Sequence, residues 1–249
     1  MRGLRPVVCI YSTFLQRAFD QITCDVALHR LPVTFVIDRA GITGADGPSH
    51  HGFLDLAYLR CIPGMTISAP SSPDELRRMF ATALAGDGPF SLRFPRGAAP
   101  SVSSEPLEAV PVPSVVIRHR GQDLALFAVG KMVAVAMQAQ EKLGALGIST
   151  TVVDARFVKP LAPELSAIAA RHRAVITVED GVASGGFGSA VTDLLASDGV
   201  IVPIVRLGLP DRFIEHGAQA ALLGQLGLDP DGIAAAALGL LPATEVLAG

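Results

Sequence analysis

Cysteine is scarce in this chain: its 249 residues carry three, Cys9, Cys24 and Cys61, with no C-x-x-C spacing. That excludes a disulfide framework and a thiolate metal site, and it suits a reducing cytoplasm. Lysine is equally scarce, at Lys131, Lys142 and Lys159 only, so most cations are arginine. Charge is low altogether: 17% of residues are charged, the formal net charge is -3 and the pI is about 6.1. No basic surplus exists to hold nucleic acid or an anionic membrane. Long hydrophobic runs are absent too. The longest, Ile233 to Leu241, is too short to span a bilayer, and the apolar stretch after Pro6 is too short for a signal peptide. What remains is half hydrophobic, enough for a real core in one large or two ordinary domains.

The residues that are present alternate between strand and helix patterns. Val7 to Ile10 opens as a strand. Ser12 or Thr13 can cap a following helix, with Leu15, Ala18, Phe19, Ile22 and Val26 at helical spacing. Pro32 to Ile37 is apolar enough to be a strand buried on both faces. A helix beginning at Phe53 and a strand from Met65 to Ala69 come next. Ser72-Pro73-Asp74-Glu75 is a strong helix start, with a capping Ser, a Pro at the first helical position and a Glu for a capping box. Phe90 to Phe94 is the last strand of this unit. From Ala98 to Ser114 the composition turns to Pro, Ser, Ala and Glu without periodicity, the signature of a linker.

A second unit begins near Val115 with a hairpin-like turn at Arg118 to Gln122. Strands are expected at Leu124 to Val129, Thr150 to Val153, Ala174 to Val178 and Val202 to Leu207. Helices are expected at Met132 to Leu146, Pro163 to His172, Ser189 to Ala196, Gln219 to Leu226 and Asp231 to Leu240. Repeated βαβ units imply an α/β fold, with parallel sheets covered by helices. The glycine-rich run Gly181 to Gly188 matches neither G-x-G-x-x-G nor a Walker loop, and Glu179 and Asp180 beside it would repel phosphate. Packing glycines or a subunit contact fit it better. His119, His172 and His216 are scattered and carry no ligand spacing.

Function concentrates between Ile37 and Gly52. Asp38, Arg39, Asp46, His50 and His51 crowd a glycine-rich loop directly after a buried strand, where open α/β sheets bind ligands. Phe14 and Arg17 share a face at the first turns of a helix that also starts at a strand's carboxyl end. Arg96 follows a third strand in the same way. Three arginines on one sheet edge, Arg17, Arg39 and Arg96, resemble a phosphate or carboxylate site.

These stretches also carry a family resemblance. Tyr11-Ser12-Thr13-Phe14-Leu15-Gln16-Arg17-Ala18-Phe19-Asp20-Gln21, Asp38-Arg39-Ala40-Gly41 and Gly44-Ala45-Asp46-Gly47-Pro48-Ser49-His50 closely resemble 1-deoxy-D-xylulose-5-phosphate synthase. Tyr58-Leu59-Arg60-Cys61-Ile62-Pro63, Phe94-Pro95-Arg96-Gly97, Asp154 to Leu161 and Gly208-Leu209-Pro210-Asp211 extend the likeness almost to the end. The resemblance implies a transketolase-like enzyme that condenses pyruvate with glyceraldehyde 3-phosphate, releasing carbon dioxide, on thiamine diphosphate and Mg2+. Its product feeds isoprenoid, thiamine and pyridoxal synthesis. It also implies two parallel-sheet α/β domains: an incomplete pyrimidine-binding domain over residues 1–100 and a C-terminal domain over 115–249, joined by a linker over 101–114.

Carried over by motif, Phe14 stacks on the cofactor's aminopyrimidine. Tyr11, Arg39 and Arg96 hold the acceptor's phosphate, and Arg17 lies close to cofactor and substrate. Asp46 and His50 bind the substrate's polar end and assist proton transfer. No metal ligand is expected in this chain, because Mg2+ belongs to a domain that precedes it in the family. A cofactor-activating glutamate in an Ala-Glu-Gln-His stretch is also expected upstream, and here no Glu precedes Glu75. The chain is therefore expected to be a C-terminal portion, from a truncated or miscalled reading frame, that is inactive alone. A homodimer or a pairing with an N-terminal half is expected. Two alternatives are a subunit of a split transketolase-type enzyme and a non-catalytic module that pairs with full-length synthase.

Overall fold

The computed structural model describes residues 3–98, 102–104, 106 and 108–241. Two five-stranded sheets organise them. The first contains β1 (Val7–Tyr11), β2 (Thr34–Asp38), β3 (Thr66–Ser68) and β4 (Phe90–Arg93), parallel in the order β1-β2-β4-β3. The second contains β5 (Val116–His119), β6 (Leu124–Ala128), β7 (Thr150–Asp154), β9 (Ala174–Val182) and β10 (Ile204–Leu209), in the order β10-β9-β6-β7-β5. β8 (Phe157–Lys159), which periodicity does not reveal, leaves the second run of sequence and pairs antiparallel with β3.

The apolar strands explain this layering. β6, β7 and β9 are buried along their whole length, as a central parallel strand with helices on both faces must be. Phe35, Ile37 and Ile67 of the first sheet share one continuous core with Phe127, Val153 and Phe187 of the second. β1 is different. It pairs only with β2 and leaves Val7 and Val8 partly exposed, so its outer edge is open among the described residues.

Four local expectations change in the structure. The Arg118 to Gln122 turn does not form a hairpin, because β6 has both edges taken by β7 and β9; β5 pairs antiparallel with β7 instead. The helix after β1 is broken into an α-turn (Ser12–Leu15), a 3-10 turn (Gln16–Ala18), an α-turn (Phe19–Gln21) and a π-helical segment (Ile22–Ala27). Thr23 Oγ1 donates back to the Phe19 carbonyl at 2.8 Å, a bond that competes with regular helix geometry. Ser12 does not cap this helix; its buried hydroxyl has no hydrogen-bond partner among the described residues. At helix Pro73–Ala85, Ser72 Oγ accepts from the Glu75 N–H at 3.2 Å, but the Glu75 carboxylate does not complete the box. It pairs with Arg156 at 2.7 Å, a charged partner worth more than a capping bond.

The described part of the proline-rich stretch packs on that same helix: Val110 is buried and its N–H donates to Thr82 Oγ1 at 2.8 Å. Residues 99–101, 105 and 107 of that stretch lie outside the described residues. No helix is long and apolar enough to cross a membrane among the described residues. All three cysteines are free and exposed.

Candidate active site

The loop between β2 and helix Asp55–Arg60 is fastened at its base. Gly41 donates to the Gly52 carbonyl at 2.6 Å, and Gly52 donates back to Gly41 at 2.9 Å. Arg39, at the loop's entry, adopts φ 55°, and Asp38 Oδ1 accepts its N–H at 2.6 Å. A short acidic side chain that binds the next backbone amide is a common way to hold such a turn. This conformation turns the Arg39 guanidinium across the Tyr11 ring, 4.2 Å from its centroid.

All seven residues expected to act together are gathered here. Asp46 Oδ2 accepts from Arg39 at 2.9 Å and from Arg96 at 2.8 Å, so two guanidiniums converge on one carboxylate oxygen. The Tyr11 ring stacks on Phe14 at 5.5 Å, and the His50 ring meets Phe14 edge-on at 5.8 Å. Arg17 lies 5.8 Å from the Phe14 centroid. The three arginines therefore divide two and one: Arg39 and Arg96 share Asp46, while Arg17 accompanies the aromatic face. Phe14 is 38% exposed, which leaves a flat apolar ring open to a ligand. His50 Nδ1 bonds Ser49 Oγ at 3.0 Å, and its Nε2 has no protein partner among the described residues.

His51, by contrast, is structural. Its Nδ1 accepts from the Thr43 N–H at 3.1 Å, which puts the ring proton on Nε2, facing the Glu215 carbonyl at 3.2 Å. The loop is thereby tied to the second sheet's side of the molecule. Gln219 Nε2 donates to the Ile42 carbonyl at 2.5 Å and reinforces the tie.

Beneath the loop lies a charged cluster that the sequence did not reveal. Arg93 donates from Nε to Asp55 at 2.9 Å and from Nη1 to Asp180 at 2.5 Å, with all three side chains almost wholly buried. Lys131 Nζ stands 3.4 Å from Asp180 Oδ2. Burial alone would raise the Asp180 carboxyl, but Arg93 and then Lys131 hold it down at about 2. Burial dominates at Asp55 and pushes it up, so Asp180 is the firmer anion of the two. Asp180 also explains Gly41: a Cβ there would lie 2.0 Å from its Oδ2, and Gly41 has φ +77°.

The glycine run serves packing, one of the two expectations for it, and Glu179 joins it there. Glu179 accepts from the Phe187 and Gly188 N–H groups at 2.8 Å each and so caps helix Phe187–Ser197. Burial pushes its carboxyl up to about 7 even so. A Cβ at Gly188 would meet Thr177 Oγ1 at 2.5 Å, so the helix can approach the sheet only through glycine. The local signal for the buried cluster was a charged Arg93 at the end of a fully buried strand.

A cavity of about 710 Å3 opens beside the site, bounded by Arg39, Arg96, Lys131, Gln219 and the Ser71–Pro73 turn.

Comparison with known proteins agrees with this fold. Residues 1–101 match the model of the transketolase pyrimidine-binding domain, and residues 114–233 match that of the transketolase C-terminal domain. A solved split-gene transketolase, described as an inactive β4 tetramer, aligns at TM-score 0.85 and 31% identity over 96% of this chain and 76% of that one. The chain belongs to the transketolase family. A transketolase mutant from Pichia stipitis shares the fold at TM-score 0.78 and 20% identity, covering 95% of this chain and 34% of that one.

Within the family, curated relatives similar to this chain include 1-deoxy-D-xylulose-5-phosphate synthases. The Thiobacillus denitrificans enzyme is 52% identical over 93% of this chain and 37% of its own length. One from Geobacter sulfurreducens is 50% identical over 97% of this chain and 38% of its own. The chain thus spans under two fifths of the length of these relatives.

Proposed function

We propose that this chain is the acceptor-binding and proton-transferring part of a 1-deoxy-D-xylulose-5-phosphate synthase, which joins pyruvate to glyceraldehyde 3-phosphate with loss of carbon dioxide. The observation that carries this is the convergence of Arg39 and Arg96 on Asp46 next to the open Phe14 ring. A guanidinium pair already holding one carboxylate has the geometry and charge to take a phosphate. Tyr11, under Arg39, keeps that guanidinium in place through a cation–π contact. Arg17 adds charge beside the aromatic face.

The exposed Phe14 ring, flanked by Tyr11 and His50, fits the aminopyrimidine of thiamine diphosphate, a flat group that stacks on an apolar face. The cofactor, when bound, would supply the electron sink for decarboxylation. In this proposal His50 moves protons through its unpartnered Nε2, and Asp46 binds the substrate's polar end once the phosphate engages the arginines. Cofactor activation, its diphosphate and Mg2+ are assigned to residues outside this sequence, on a longer polypeptide or on a second chain. We assign the assembly to the cytoplasm, where exposed cysteines stay reduced.

A second proposal is a subunit of a split transketolase-type enzyme, favoured by the likeness to a split-gene transketolase. One experiment tests both. Carbon dioxide release from pyruvate would be measured with glyceraldehyde 3-phosphate, thiamine diphosphate and Mg2+, using the chain alone and the chain mixed with a synthase N-terminal half. Release only on mixing, lost in Arg96→Ala, supports the assignment. Release by the chain alone would overturn the division of labour, and no release on mixing would leave a fragment without catalytic competence.

A further inference from the structure

The loop that carries Asp46 and His50 springs from the first sheet, yet its apolar ends are buried in the second sheet's half. Ile42 and Phe53 belong to the core that holds Leu209, Ile214 and Leu222. Between them the loop lies against one short stretch, Glu215 to Gln219, which leads from β10 into helix Gln219–Gln225. Gln219 Nε2 donates to the Ile42 carbonyl, and the Gly217 N–H donates to the Gly44 carbonyl at 3.3 Å. His51 Nε2 donates to the Glu215 carbonyl. The loop is thus held at residues 42, 44 and 51, on either side of Asp46 and His50.

The bracketed side chains have weak holds of their own. His50 bonds its neighbour Ser49 and meets the edge of the Phe14 ring. Asp46 is held by Arg39 and Arg96, the groups it gives up to a phosphate in the proposed function. Its place then depends on the loop backbone, and a misplacement of about 1 Å can cost about a hundredfold in rate. The two side chains that reach across hold in different ways. His51 is buried and uses both ring nitrogens, one towards Thr43 in its own loop and one towards Glu215, so it works as a rigid strut. Gln219 is half-buried and lines the 710 Å3 cavity with Arg39 and Arg96, which puts it where the cavity meets the loop.

We propose that Glu215 to Gln219 is the seat that sets the positions of Asp46 and His50, with His51 and Gln219 as positioning residues. The half of the molecule that carries the second sheet thereby takes part in the site through the backbone of a loop from the first. The seat follows from the hydrogen bonds; its bearing on catalysis rests on the roles proposed for Asp46 and His50.

The test is the imidazole NMR spectrum of the full chain. The His50 ring signal, assigned by its loss in His50→Gln, carries a ring-current shift from the neighbouring Phe14 ring. His172, bonded at its two nitrogens to Ile168 and Thr151 in the second half, marks the folded state. Gln219→Leu and His51→Leu should move the His50 signal to the position of a free imidazole and leave His172 unmoved. His51→Gln, whose amide can accept and donate in place of the ring, should restore the wild-type position. Gln219 is half-buried, so its variant decides the matter where His51→Leu does not fold.

An unmoved His50 signal in both leucine variants would overturn the seat, and movement in one alone would overturn the other residue as a positioning group. In carbon dioxide release with a synthase N-terminal half, the leucine variants should lower kcat roughly tenfold or more, with a smaller change in KM for glyceraldehyde 3-phosphate. Arg39 and Arg96 lie outside the bracketed span, which is why KM should change less. A raised KM at unchanged kcat would overturn the positioning of Asp46 and His50. An inactive wild-type mixture would reject the proposed function instead, and the His50 signal would still decide the seat.

Discussion

Arg93 and Arg96 stand three residues apart at the end of one strand, and both bind carboxylates at under 3 Å. Their settings differ completely. The Arg93 side chain is 3% exposed and the Arg96 side chain 48%. Inside, two carboxylates and one guanidinium have surrendered their water and depend on one another. Outside, the arginines share Asp46 in contact with solvent, where, in the proposed function, an incoming anion replaces it. The same pair chemistry thus makes a buried lock in one place and a solvent-exposed clamp in the other, and burial sets the difference.

Breaking the lock should have the largest effect. Arg93→Met leaves Asp55 buried without its cation and Asp180 with Lys131 alone, and breaking a buried pair costs about 3–5 kcal/mol in comparable sites. Urea denaturation should show this as a large drop in midpoint; a drop within the surface-pair range would place the cluster in contact with water.

The next effect sharpens the comparison through pH. The folded protein keeps the Glu179 proton up to about pH 7, whereas the unfolded chain releases it near 4.5. The folded state binds more protons within that window, so this group's stabilisation is full below 4.5 and is lost as pH rises to about 7. The loss amounts to about 3 kcal/mol. Asp180 acts in the opposite sense: its contribution is present above 3.8 and is lost as pH falls towards 2. Urea midpoints from pH 4.5 to 7.5 should fall in wild type and fall less steeply in Glu179→Gln, where the raised Asp55 still acts in the same sense.

Gly41→Ala should be smaller but still clear. The added Cβ meets the Asp180 carboxylate and must occupy a left-handed conformation, for a loss of about 1–3 kcal/mol. Pairing it with Asp180→Ala removes the clash, so a double-mutant cycle should show coupling between the two positions. The smallest stability effect belongs to the clamp. Arg96→Ala should shift unfolding by less than about 1 kcal/mol, the range of exposed pairs. An equally large loss there and at Arg93 would erase the distinction drawn between them.

The clamp was legible in the sequence and the lock was not, for a physical reason. Arg39 and Arg96 each follow a strand, so the topology of a parallel sheet brings them to one edge before any side chain is placed. Asp55, Lys131 and Asp180 come from a helix start, a helix start and a strand end in different parts of the chain, and nothing local marks them as partners. Glu179 and Asp180 were legible only as negative charge. Strands β6 and β9 were visible through their continuous apolar runs, whereas β8 has three residues between Arg156 and Pro160 and no room for a period. The broken helix after Tyr11 shows the same limit: spacing gives the buried face of Leu15 and Ile22, but not the π-turn that Thr23 helps to make.

β8 has a consequence for separability. The first sheet is completed by a strand that the ribosome delivers only after three of the second sheet's five strands have emerged. Lys159 then reaches back to the carbonyls of Arg60 and Ile62 at 2.8 and 2.6 Å. Phe157 meanwhile meets Phe90 edge to face. A chain cut within the proline-rich stretch would leave β3 with a raw edge and Phe90 without its aromatic partner. The two halves are thus written in series but finished together.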